Sequence, residues 1–472
     1  MKTYKKILSL VLTFAMIMSL CIVYSPSKTQ AGVKIIVGKK LDINYGAKDV
    51  ILVKGKAKAK STSKKVAKIT KVKKSGKNTK ITVKGAKVGK AKIKIKVGGK
   101  TKKASVIVRP KSPKSLKVKS GSNYATLSWS KSKGASGYYV YRSENKSSGF
   151  KKIATSKKNK YVDKGLALGK YYYYKVIAFG SKKVKSEKYT KVEFARTWKL
   201  VWQDEFSGTK LNSNYWTHEI GHGNNGWGNQ EKQNYQPEYA VVNGGKLEIR
   251  PTFQYNRTKG KNVDNSYYSS RIITKGKKQF KYAKVEYRAK LPKGEGTWAA
   301  GWMLGTGSGG SWPKCGEIDV FETTFQAAKT IIPQSLHMAK FNGMATSSGN
   351  KHWDTTINNA TSTFHTYAVE WFPTFLRFTI DGKETGIYDP SIYTLEGDGT
   401  NDVNIWPYNK PFYLILNCAI GGTLGVDKSY RPGNVSSINP TGWTFVKSET
   451  KDGDVIETYQ DKLVFDYIRV YE

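Results

Sequence analysis

The chain has 472 residues and a formal net charge of +48, with 82 Lys and Arg against 34 Asp and Glu. That length suits two or three domains, and three cysteines exclude a disulfide-built scaffold. Residues 31–200 hold 49 basic side chains against 6 acidic ones, and residues 201–472 hold 29 against 28, so the excess charge describes only the front of the chain.

Lys2, Lys5 and Lys6 precede an apolar run from Ile7 to Val23, and small or polar residues follow up to Ala31. This order reads as a secretory signal over 1–31, which makes the chain an extracellular protein. A retained anchor is the rival reading, although a run of 17 residues is short for a span. A lipid anchor at Cys21 is disfavoured by the bulky Leu20 before it.

Residues 32–110 alternate Lys with apolar residues, as in KAKIKIKV and KITVKGAKV. A period of two predicts short strands with one wet face. The segment resembles bacterial immunoglobulin-like repeats and is expected to be a small β-sandwich. Arg109-Pro110-Lys111-Ser112-Pro113 reads as a linker. Residues 114–198 read as a second sandwich, built from LSWS, YYVYR and YYYYKVIAF. That layout resembles a fibronectin type III domain, with Trp129 in its core and Tyr172 as the corner tyrosine. Its tyrosines could form a sugar-binding face, but core and cross-strand packing is the favoured reading.

The front lysines have two readings of equal weight. A strongly basic surface attracts anionic cell-wall polymers, with affinity falling as salt rises. Alternatively, Lys on strands discourages edge-to-edge pairing. Nucleic acid is disfavoured, because the chain reads as exported and the lysines carry no nucleic-acid motif.

From residue 199 to 472 the pattern remains all-β, with longer strands such as KVEYRAKLP, TYAVEWF and FYLILNCAI. The lack of a βαβ rhythm disfavours a parallel α/β sheet. One large two-sheet sandwich is expected. Within it, Gly316 to Glu322 reads GEIDVFE and sets three carboxylates in one apolar strand. Strand parity puts Glu317 and Asp319 on one face and Glu322 on the other. A β-bulge between Asp319 and Glu322 would restore Glu322 to the shared face. Two carboxyls about 5–5.5 Å apart suit glycoside hydrolysis with retention, and a third acid between them would raise a neighbour's pKa. Solvated surface acids are the bland alternative. The nearby Trp298, Trp302, Trp312 and Phe321 weigh against it, since sugars stack on such rings.

The run WPKCGEIDVFE resembles the active-site signature of glycoside hydrolase family 16, in its bulged, laminarinase-like form. LVWQDEF, GWGNQEKQNY, GGKLEI, GTWAAGWMLG, FHTYAVEW, PFYLILNCAIGG and FDYIRVYE follow the family's order from about residue 199 to 472. The resemblance implies a concanavalin A-like β-jelly-roll catalytic domain behind the two smaller β-sandwich modules. It also implies Glu317 as nucleophile, Glu322 as general acid/base and Asp319 as the assisting acid between them. Trp298, Trp302, Trp312 and Arg271 then match substrate contacts in the cleft, and His337 matches a histidine near the acid/base. Core packing or a surface ion pair is the competing reading for each. Asp466, with the carbonyls of Glu205 and Gly245, matches a structural Ca²⁺ site, unless Asp466 merely pairs with a base.

His218 and His222 have no acidic or cysteine partner that completes a zinc set, and are expected in loops. Cys315 and Cys418 are expected to be buried thiols. The implied activity is a secreted retaining endo-β-glucanase on β-1,3 or mixed β-1,3-1,4 glucan, working as a monomer. The alternatives are a hydrolase or transglycosylase for another β-glycan such as a galactan, and a wall-attached carbohydrate-binding protein with an idle catalytic set. Trp298-Ala299-Ala300-Gly301-Trp302 and TTFQAAKTIIPQSLHM depart from the family pattern, which bears on linkage more than on chemistry.

Overall fold

The computed structural model describes residues 33–121, 123–307, 310–323, 331–340, 352–393, 399–423 and 442–472. The signal segment 1–31 and residues 324–330 of the divergent run lie outside these. Among the described residues, no helix is long and apolar enough to cross a membrane. The chain divides into two compact units, one of residues up to Leu166 with Lys170–Arg196, the other of Ala167–Gly169 with Thr197–Glu472.

The first unit contains two sandwiches. In the front one, the sheet of strands Ile35–Val37, Lys48–Lys54, Asn78–Gly85 and Ala67–Ser75 belongs with a sheet of Lys40–Asn44, Lys100–Arg109, Gly89–Val97 and Lys58–Ser61. The predicted alternation is visible in Gly89–Val97, where Ala91, Ile93 and Ile95 are buried and Lys90, Lys92, Lys94 and Lys96 are exposed. The second has three strands, Lys160–Lys164, Tyr124–Ser128 and Lys117–Ser120, and four strands, Lys151–Ser156, Gly137–Ser143, Tyr171–Phe179 and Glu193–Arg196. Trp129 packs edge-on to Tyr138 in its core, and Tyr172 is buried there too.

The second unit is a jelly-roll sandwich. One large sheet runs Ala240–Asn243, Lys246–Ile249, Leu463–Tyr471, Lys284–Lys290, His365–Trp371, Leu376–Ile380 and Lys383–Tyr388, with Leu200–Asp204 also paired to Leu463–Tyr471. The other runs Thr217–Glu219, Arg271–Ile273, Phe412–Ile420, Thr297–Gly305, Glu317–Glu322, Ile331–His337 and His352–Thr356. Their inner faces share a core that includes Tyr287, Phe321, Tyr367, Trp371 and Phe465. Each such side chain removed from water contributes roughly 1.5–3 kcal/mol. Only two sheets were expected; a third is formed by Asn234–Tyr235, Lys261–Ser269, Thr252–Asn256, Asp454–Gln460 and Thr444–Lys451. Its Phe253 and Tyr267 pack with Trp443 against Ile420 of the Phe412–Ile420 strand, in a small cluster apart from the main core.

His218 departs from the loop expectation. It lies in the strand Thr217–Glu219, paired with Ile272, because Arg271–Ile273 offers that short segment an open sheet edge. Cys315 and Cys418 are both buried free thiols.

Candidate active site

The site is built on the outward side of the Glu317–Glu322 strand, and the bulge expected there is present. Opposite Thr297–Gly305, Trp302 pairs with Asp319, Gly301 pairs with Phe321, and Val320 is the residue left over. The cause lies in the core. Ile318, Val320 and Phe321 are all fully buried, and strict alternation cannot send the consecutive Val320 and Phe321 inward. The extra residue lets both pack inside, and Glu322 then returns to the side of Glu317 and Asp319. Gly301 is required at this point, since a Cβ there would meet Phe321 Cε1 at 2.4 Å.

Each outer acid is held by an indole. Trp298 Nε1 donates to Glu322 Oε1 at 3.0 Å, and Trp312 Nε1 donates to Glu317 Oε2 at 3.1 Å. Ser335 Oγ adds a long 3.5 Å contact to Glu322 Oε2. His337 Nε2 lies 3.2 Å from Asp319 Oδ2 and 3.5 Å from Glu317 Oε1. The histidine was expected beside the acid/base Glu322; its nearest carboxyls are instead Asp319 and Glu317, because the Ile331–His337 strand pairs His337 directly with Glu317. From the inner side, the Tyr408 hydroxyl donates to the carbonyls of Glu317 at 3.3 Å and His337 at 3.1 Å, tying the two strands together.

Burial pushes all three carboxyls above their ordinary range, and neighbours separate them. Asp319 is pushed furthest, by burial and then by the charges of Glu317 and Glu322, with His337 opposing. Glu322 is raised by burial and by Glu317, against His337, the Trp298 N–H and Ser335. Glu317 is raised by burial, against His337, the Trp312 N–H and Arg271. Three crowded carboxyls cannot all be ionised together. The arrangement favours a proton on Asp319, leaving the outer pair to divide the roles of base and acid.

Residues 229–419 match the family model for glycosyl hydrolases family 16. A beta-glucanase of Rhodothermus marinus is 32% identical over 282 residues, covering 58% of this chain and 85% of that protein. A glucan endo-1,3-beta-glucosidase of Cryptopygus antarcticus is 33% identical, covering 50% of this chain and 85% of its own. Glucan endo-1,3-beta-glucosidase A1 of Niallia circulans is 35% identical over 47% of this chain and 34% of its own length. The chain belongs to glycosyl hydrolase family 16.

In this family 16 domain the expected aromatic and basic residues also gather. Arg271 Nε donates to Glu219 Oε2 at 2.5 Å, and its guanidinium carbon lies 4.5 Å from the Trp227 ring centre and 5.0 Å from that of Trp302. Such a cation held over two ring faces is worth about 0.5–2 kcal/mol per contact. Trp302 Nε1 donates to Asn417 Oδ1 at 2.8 Å. Asn417 Nδ2 donates to the Tyr235 hydroxyl at 3.0 Å, and that hydroxyl donates to Glu231 Oε2 at 3.0 Å. Glu231, itself buried, also accepts from Gln233 Nε2 at 2.7 Å and Asn229 Nδ2 at 3.2 Å.

Sequence reasoning did not single out Glu219, Trp227, Glu231, Tyr235 or Asn417. The signal available was GWGNQEKQNY, an acid amid amides and aromatics. Its local conformation puts Asn225, Trp227 and Gly228 at φ of 48°, 56° and 84°, a sharp coil that ordinary strand patterns do not announce.

Of the expected calcium donors, Asp466 shows the alternative pairing with bases. The Asp466 carboxylate is paired with Arg288 and lies 3.7 Å from Lys246 Nζ. At Glu205 the expected donor is the backbone carbonyl, and the side chain bonds Arg469 at 2.7 and 3.0 Å. A carboxylate already neutralised by two bases does not fit a resident Ca²⁺, which needs that charge for itself. No chemical step here is routed through a metal.

Proposed function

We propose that this family 16 chain is a retaining endo-β-1,3(4)-glucanase, in line with the glucanase names of its relatives. The observation that carries the reading is the bulge at Val320, which sets Glu322 beside Glu317 over a tryptophan-lined surface. Glu322, held protonated by burial, donates its proton to the leaving glycosidic oxygen. Glu317, whose charge His337, Trp312 and Arg271 support, attacks the anomeric carbon to give a covalent glycosyl-enzyme. Water, deprotonated by Glu322, then releases the sugar and restores the starting state. Asp319, protonated between them, removes one negative charge and can lend its proton by hydrogen bonding. Export through the segment 1–31 accords with a polymeric substrate too large to enter a cell.

Reducing-sugar release from laminarin, lichenan and agarose, with Glu317→Gln beside the parent, tests this. Release from laminarin or lichenan by the parent alone is expected. Release from agarose alone would point to a galactan hydrolase, and binding to laminarin without release by either protein would leave a recognition protein.

A further inference from the structure

We propose that the outward face of one sheet in the front sandwich binds a linear phosphodiester polymer of a small polyol. Residues 33–109 contain 25 lysines, two aspartates and one arginine, Arg109. Arg109 is already committed to Asp42, at 2.6 and 2.7 Å. Among the described residues, none of the lysines from Lys34 to Lys103 makes an ion pair.

Strand register turns these lysines into a grid. Lys60 pairs with Lys94, and Lys94 pairs with Lys103, so three ammonium stems stand in line across three strands. One step along, Lys58 pairs with Lys96. All five are exposed. The row spacing is about 4.8 Å between strands and roughly 6.6 Å between alternate residues of one strand. Like charges placed directly opposite destabilise a sheet, so the grid opposes folding unless counter-charge covers it.

Edge protection does not explain Lys94 and Lys96, the middle of the grid. In this sheet Gly89–Val97 is flanked on both sides at Lys94 and Lys96, so these two guard no edge, whereas Lys58 and Lys60 lie on the outermost strand and Lys103 lies beyond the reach of Lys40–Asn44, which pairs only with Ser105–Arg109. The type of charge narrows the partner. Lysine is a compact point charge that binds phosphate without a fixed approach geometry, and the grid contains no arginine fork, which suits a flexible chain of phosphates better than a rigidly read anion. A duplex reader places a helix or ribbon in a groove, and a single-strand binder adds stacking rings. A flat lysine grid has neither, which favours a flexible polyanion held by counterion release over nucleic acid.

The test uses the full chain and synthetic poly(glycerol phosphate) on a sensor surface, titrated with NaCl. The parent is expected to bind at 50 mM NaCl and to release near 1 M. In a variant with Lys58, Lys60, Lys94, Lys96 and Lys103 each changed to Gln, the slope of log affinity against log salt should fall by about 3–4, at about 0.7 per lost contact. Turnover of soluble laminarin should not change, and the variant's Tm at low salt should rise as the repulsion is relieved. The proposal is overturned if the parent does not bind at 50 mM NaCl or if the variant keeps the parental slope. It is also overturned if duplex DNA or polygalacturonate of equal charge binds the parent as tightly as the phosphate polymer.

Discussion

The strands Gly89–Val97 and Glu317–Glu322 show what alternation can and cannot do in this molecule. In the first, from residue 89 to 96, every second residue is buried and every other one is a lysine in water. In the second, alternation fails at Val320–Phe321, and the failure gathers three carboxyls on one side. An unbroken period of two displays charge as an open grid. A broken one concentrates charge of opposite sign into a partly dry site, where burial and mutual repulsion reset its protonation. The polar side of a strand thus decides its use, and a single inserted residue separates a coating from a reaction centre.

The contrast breaks most completely at the outer acids. Glu317→Gln is expected to lower kcat on laminarin by about 10³-fold or more, and Glu322→Gln by about 10²–10⁴-fold, with KM little changed. Steady-state kinetics check both. Next in size is the bulge itself. Gly301→Ala drives a methyl group into the Phe321 ring and should cost about 1–3 kcal/mol, read as a lower Tm, together with most of the activity as Glu322 shifts. Retention of parental activity would show that the bulge does not depend on that close approach.

A smaller effect is expected at Glu231, which touches neither carboxyl of the outer pair. Glu231→Gln leaves the Tyr235 hydroxyl facing an amide and loosens the chain that runs through Asn417 to Trp302. KM should rise about tenfold while kcat falls less, because the indole platform is displaced and the acids are not.

The finest adjustment concerns pH. His337 opposes the upward shift of all three carboxyls, so removing its charge should raise them further. Glu317 must be ionised to attack, and its protonation sets the acid limb of kcat/KM. His337→Asn is therefore expected to move that limb to higher pH, in a full pH profile of parent and variant. The same sign holds for stability. Carboxyls raised in the folded state favour folding below their unfolded pKa, and that advantage is lost as pH rises through the raised values. Asp319→Asn should remove the penalty and lift Tm on the alkaline side by about 2–4 °C per kcal/mol relieved.

Much of this was legible beforehand where local rules suffice. The lysine-apolar alternation predicted the front strands, and three acids in an apolar run demanded a bulge once a shared face was required. Trp298, Trp302, Trp312 and Arg271 were found by resemblance and do converge. Less accessible were features that depend on chain segments distant in sequence. Asn417 meets Trp302 across 115 positions, and no local pattern in FYLILNCAI marks it among apolar neighbours. The third sheet joins residues 252–256 to 454–460, a pairing set by where the chain returns. The place of His337 beside Asp319 follows from hairpin register, which the divergent run before it obscured. The bases that pair with Asp466, Lys246 and Arg288, were not legible in FDYIRVYE because they lie far back in the sequence.

Cys315 and Cys418 also bear on how the protein can be handled. Both thiols are enclosed and unbridged, so neither sandwich face of the family 16 domain is stitched by sulfur. Recovery from urea should then proceed equally well with or without dithiothreitol, and a thiol-rich medium should leave turnover intact. Burial also raises the Cys315 thiol above its ordinary value, which keeps it in the unreactive form two positions before Glu317.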